Sequence, residues 1–164
     1  MSQMPSDTSQ GYAPPIVTQF SVFLDNRVGK LHELVRSFDE EPGCWVCALS
    51  VHEASDHAVV RIITNIADFA RDILRMHCLP YSELDVLVVQ LGTETDSLST
   101  LCKSLLTAEL SVRFAYPMMH NDPETGLPAV AIAVDDSTLA GQILRRKGFR
   151  IMGEADLPGP GTGW

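Results

Sequence analysis

FLDNRVGKLHEL, residues 23–34, passes from an apolar stretch through Asp25, Asn26, Arg27 and Gly29 into a helical pattern. Upstream, VTQFSVFL (17–24) sets Phe20, Val22 and Leu24 on one face at period two and reads as a strand. Downstream, Leu31, Leu34, Val35 and Phe38 fall at i, i+3, i+4 and i+7, the stripe of an amphipathic helix, and Pro42 and Gly43 stop it. CWVCALSV (44–51) and HAVVRIIT (57–64) then read as an antiparallel hairpin across the polar EASD. Ile66, Phe69, Ala70, Ile73 and Leu74 mark a second amphipathic helix, and LDVLVVQL (84–91) returns to strand. The order β-α-β-β-α-β predicts the split-βαβ or ferredoxin-like arrangement, an α+β fold with helices on one face of an antiparallel sheet.

The pattern then starts again. Leu24 and Leu31 match Leu91 and Leu98 at an offset of 67, and Val46 and Ala48 match Val112 and Phe114 at 66. Val59 matches Val130 at 71, and DILRMHCL (72–79) parallels QILRRKGF (142–149) at 70. Offsets that drift only across turns are those of a duplicated unit with loop insertions. Two units are expected, 16–83 and 84–156, with residues 79–91 running from one to the other without a flexible linker. Residues 1–15 and 157–164, rich in polar residues or in Gly and Pro, are expected as disordered tails, with Trp164 a loose end.

Composition narrows the function classes. The 164 residues are 45% apolar, enough for a packed core, and 12 basic against 21 acidic residues give a net charge of −9. That charge repels phosphate backbones and anionic lipid, so neither nucleic acid nor membrane is expected as a partner. MSQMPSDTSQGYAPP has no basic start and no apolar run, unlike a signal or transit peptide, and a cytoplasmic location is expected. Of four cysteines, Cys44 and Cys47 form C-W-V-C. On a strand, i and i+3 point to opposite faces, so these thiols read as small buried apolar groups rather than a zinc site, even with His52 and His57 nearby.

N-R-x-G-x-L at Asn26, Arg27, Gly29 and Leu31, set between strand and helix in a repeated β-α-β-β-α-β unit, resembles the loop of the ACT domain, which commonly reads N-R-P-G-x-L or D-x-P-G-x-L. The duplication resembles the tandem ACT proteins and covers about residues 16–155. The resemblance implies an amino-acid-binding regulator; the regulatory subunits of acetolactate synthase are one related group. It implies three candidate roles: a stand-alone amino-acid sensor, a subunit docked on an amino-acid biosynthetic enzyme, or, least expected, a catalyst.

Physical chemistry gives the loop the same use. A helix N-terminus presents unpaired N–H groups that suit a carboxylate, and Gly29 lets a ligand approach the backbone. Asn26 supplies an amide oxygen for an ammonium. The plainer alternative is that Asp25 or Asn26 caps the helix and Gly29 relieves a tight turn. The candidate ligand-binding residues are Asp25, Asn26, Val28, Gly29, Lys30 and Leu31. In the family the ligand lies between this loop and the start of a neighbouring copy's second strand. Aligning Cys44-Trp45-Val46 with Leu110-Ser111-Val112 adds Ser111 as the polar partner. The second loop, GTETDSL, has Thr93 for Asn26 and Asp96 for Gly29, and an acid there repels a carboxylate; Thr95 or Asp96 is expected as a plain cap.

Tyr116, Pro117, Met118 and Met119 read as core or interface. Arg145, Arg146 and Lys147, like Arg75, read as cations at a helix C-terminus. With no Ser-His-Asp order, no phosphate loop and no metal-ligand spacing, no catalytic residue, metal or cofactor is expected. A homodimer is expected because a sheet face bearing Val59, Arg61 and Ile63 would otherwise stand bare.

Overall fold

The computed structural model describes residues 7–8, 11–12, 15–92 and 97–160. Two short strands, β1 (Asp7–Thr8) and β2 (Gly11–Tyr12), pair with each other. There follow β3 (Val17–Asp25), α1 (Lys30–Asp39), β4 (Val46–Glu53), β5 (His57–Thr64), α2 (Ala67–Met76) and β6 (Tyr81–Gln90). The remainder is α3 (Leu98–Thr107), β7 (Val112–Pro117), β8 (Ala129–Val134), α4 (Ser137–Arg146), β9 (Ile151–Met152) and a 3-10 turn, Glu154–Asp156.

All pairings in the main sheet are antiparallel, in the order β4-β5-β3-β6-β8-β7, with β9 beside β6. β6 serves both halves. Its first part, Tyr81–Val86, lies against β3, whereas Leu87–Gln90 lies against β8 and Val88 and Val89 also meet β9. The order β4-β5-β3-β6 in the first half is thus repeated as β7-β8-β6-β9 in the second.

Alternation along the strands sorts the core into layers. Phe20, Val22, Leu24, Val60 and Ile62 face α1 and α2, which bury Leu34, Phe38, Ala70 and Leu74 against them. Leu87, Val89, Val130 and Ile132 face α3 and α4 in the same way. Each large side chain so buried stabilises by about 1.5–3 kcal/mol. The opposite face of the sheet curls onto itself. Val17, Cys47, Ala48, Ile63, Val86 and Val88 pack against Tyr116, Met152 and Leu157. The sequence AVAIAV of β8 puts Ala129, Ala131 and Ala133 on that inner side, and their small size lets the two layers approach. Met119 N–H donates to the Cys47 carbonyl at 2.8 Å and closes the curl.

Four sequence expectations change. The sheet face expected to need a second chain is covered from within: Ile63 is fully buried, and the Arg61 guanidinium sits 4.0 Å from the centre of the Phe114 ring. Within the two stretches expected as disordered tails, β1 pairs with β2, and Leu157, Pro158 and Gly159 are buried, with the Cys47 thiol donating to the Pro158 carbonyl at 3.4 Å. Trp164 lies outside the described residues. Cys44 and Trp45 precede β4 rather than belonging to it, although the two thiols still face opposite layers, Cys44 toward the helices and Cys47 inward. The cap of α3 is Ser97, whose hydroxyl accepts from Thr100 N–H at 3.2 Å; Thr95 and Asp96 lie outside the described residues.

Candidate functional site

The loop after β3 is shaped by its own polar residues. Asp25 pairs with Arg27 at 2.8 Å, and Asn26 Nδ2 donates to Glu53 Oε1 at 2.9 Å. Gly29 takes a left-handed conformation (φ 90°), which an L side chain rarely adopts, so glycine is required by the turn itself. No atom comes within 4 Å of where its Cβ would stand. Both uses of Gly29 considered above, relief of the turn and open access, are therefore present together. Val28 is fully exposed. Lys30 pairs with Glu33 at 2.8 Å and holds that carboxyl below its usual range, through the hydrogen bond first and the charge second.

The start of α1 differs from the other three. α3 and α4 are capped by the side chains of Ser97 and Asp136, and Ala67 N–H at the start of α2 donates to Glu154 Oε1 at 2.9 Å. At α1, among the described residues, no side chain accepts from the first-turn N–H groups; neither Asp25 nor Asn26 caps the helix. Lys30 N–H donates instead to the Arg27 carbonyl at 3.3 Å, within the loop itself. Between α1, the end of β3 and the segment after α2 a recess of about 190 Å³ lies next to this start, lined by Leu24, Lys30, Glu33, Leu34, Ser37, His77 and Leu79. His77 and Leu79 were not among the candidates. No motif announces them, because they arrive from the far end of α2.

Ser111 is in a different place. Its N–H donates to Asp135 Oδ1 at 3.1 Å and its carbonyl accepts from Asp135 N–H at 3.2 Å. The same reciprocal pair joins Trp45 and Asn65, at 2.7 and 3.1 Å, which supports aligning Trp45 with Ser111. Asp135 lines an open cleft with Thr18, Glu83 and Asp85 at the junction of the halves. Asp25 lies seven residues further along β3 from Thr18, and at about 3.3 Å per residue this is about 23 Å. The chain therefore brings Asp25–Leu31 together and leaves Ser111 apart from them.

Among the described residues no group of three or more His, Cys, Asp or Glu is placed to hold a metal, and no helix is long and apolar enough to cross a membrane. Burial pushes the Cys44 and Cys47 thiols up to about 11 and about 12, so neither is a ready nucleophile.

No family model and no curated protein sequence matches the chain. Solved structures do. A protein of Bacteroides thetaiotaomicron superposes with a TM-score of 0.77 at 20% identity, over 87% of this chain and 96% of that one. The ligand-free regulatory subunit of aspartate kinase from Thermus thermophilus matches with a TM-score of 0.54 at 9% identity, over 82% and 93%. Its counterpart from Thermus flavus gives 0.50 at 9%, over 83% and 94%. At such identities the likeness concerns the fold alone, and the fold it supports for this chain is ACT-like.

Proposed function

We propose that this chain is a small-molecule-binding regulatory protein that senses an amino acid through the loop Asp25–Leu31. The observation that carries the reading is the start of α1 in an ACT-like fold, which no side chain caps, where the other three helix starts meet a side-chain oxygen. Its N–H groups receive the ligand carboxylate, and the carbonyl oxygen of Asn26 or the carboxylate of Asp25 receives the ammonium. The two halves are read as tandem ferredoxin-like ACT units, 16–83 and 84–156, that meet within β6.

Ser111 completes this site only from a second chain, because its own lies too far away. The proposal is therefore a homodimer, with Ser111 of one chain facing the loop of the other. Light scattering at micromolar concentration tests it: a dimer is expected, and a monomer would remove Ser111 from the site. The role as a docked subunit of an amino-acid biosynthetic enzyme, such as acetolactate synthase, is the second reading. It is favoured by the fold shared with a regulatory subunit of aspartate kinase.

A thermal-shift screen with the twenty amino acids tests the central reading. One or a few should raise the melting temperature, since a ligand at a hundred times its Kd stabilises by about 2.7 kcal/mol. No shift with any of them would contradict it.

A further inference from the structure

We propose that the cleft between α1, β4 and the segment after β7 binds a small apolar amine, with an aromatic or branched body and a protonated amino head. The cleft has a volume of about 470 Å³, within the range of ligand sites. It is distinct from the loop at Asn26, and the proposal does not rest on that loop's role.

Its walls are mainly apolar. Phe38 of α1 is 1% exposed and forms part of the floor, and Leu49 of β4 flanks it. Trp45 is half-buried, and its backbone is held on both sides by Asn65, which accepts from Trp45 N–H and donates its own N–H to the Trp45 carbonyl. The opposite lip, Met119 and His120, comes from the second half and is drawn over by the bond from Met119 N–H to Cys47. The cleft thus exists only in the curled chain. The position aligned with Trp45 in the second half is Ser111, so the repeat does not create a second such site.

Charge decides the ligand class. The carboxylates lining the cleft are Asp39 and Glu41, His120 stands on the opposite lip, and no lysine or arginine lines it. Burial, opposed by a hydrogen bond with Thr64 and helped a little by Glu41, raises the Cys44 thiol to about 11, so this wall stays neutral. A carboxylate ligand is repelled by the two acids. A protonated amine is attracted by them and by the face of Trp45.

The chain contains two tryptophans, so Trp164→Phe leaves Trp45 as the sole indole. Calorimetry on this variant, with Trp45 emission followed alongside, is run with phenethylamine, phenylalanine and phenylacetate. Phenethylamine should bind saturably and change Trp45 emission, with phenylacetate at least about tenfold weaker. Asp39→Asn combined with Glu41→Gln should remove most of that preference. No saturable binding of phenethylamine, heat without a change in Trp45 emission, equal binding of phenylacetate, or a preference untouched by the double substitution would each overturn the proposal.

Discussion

The phenol of Tyr116 donates a 2.8 Å hydrogen bond to Gln19 Oε1, 97 residues away in the chain, and both side chains are buried between the two sheet layers. Gln19 also donates from Nε2 to Ser21, so both ends of its amide are used. Burial raises the Tyr116 pKa, with Arg61 opposing, and the phenol remains a neutral donor at ordinary pH. Tyr116→Phe leaves a buried amide oxygen unsatisfied and should cost about 1–3 kcal/mol in urea unfolding. An unchanged midpoint would mean that this contact does not hold the halves together.

The left-handed turn at Gly29 gives a second prediction. No neighbour obstructs a Cβ there, so Gly29→Ala should cost only the backbone strain, about 1–2 kcal/mol. Amino-acid binding should weaken with it. Loss of stability without any change in affinity would assign Gly29 to the turn alone.

Cys78 and Gly148 close α2 and α4 at positions 70 residues apart, and both have positive φ, 53° and 93°. Cysteine carries the strain that glycine avoids. Cys78→Gly should therefore stabilise the protein by up to about 1 kcal/mol, and Gly148→Cys should destabilise it by a similar amount. The paired thermal melts check the sign, and a destabilising Cys78→Gly would contradict the assignment.

Much of this was legible in the sequence because it is local. The offset of 67 that aligned Leu31 with Leu98 also aligns the buried Leu34, Ser37 and Phe38 of α1 with the buried Leu101, Ser104 and Leu105 of α3. The match of Val46 and Ala48 with Val112 and Phe114 falls on a bulge in both β4 and β7. What stayed hidden is non-local. Period-two alternation in β3 shows that Val17 and Gln19 share a face, yet nothing in it says that Tyr116 and the alanines of β8 will cover them. For the same reason the cap of α2 by Glu154 and the recess wall from His77 could not be read. Of the candidate site, the loop was visible as a motif, whereas the separation of Ser111 depends on how the sheet is shared through β6.

The buried thiols set a pH dependence. Cys44 and Cys47 ionise at about 11 and about 12 in the fold, against an ordinary 9.0, because burial disfavours the thiolate. Their folded values are raised, so this stability is fully present below about pH 9 and is lost as pH rises toward 11–12, by at most about 1.4 kcal/mol per pH unit for each thiol. Urea unfolding at pH 8 and pH 10 should show the decline. At pH 8 iodoacetamide should label the exposed Cys78 and Cys102 first, with Cys44 and Cys47 reacting only on unfolding. Labelling of Cys47 at the rate of Cys102 would contradict the buried assignment.

The claim that the first loop is an amino-acid site is tested most directly by calorimetry with the amino acid that gives the largest thermal shift. Asn26→Ala removes one charge-assisted hydrogen bond and should weaken binding by about 1.5–3 kcal/mol, roughly ten- to a hundred-fold. Ser111→Ala should weaken it in the dimer, and Thr93→Ala in the second loop should leave it unchanged. If Thr93→Ala weakens binding as much as Asn26→Ala while the fold is intact, or if Asn26→Ala changes nothing, the site is not at this loop.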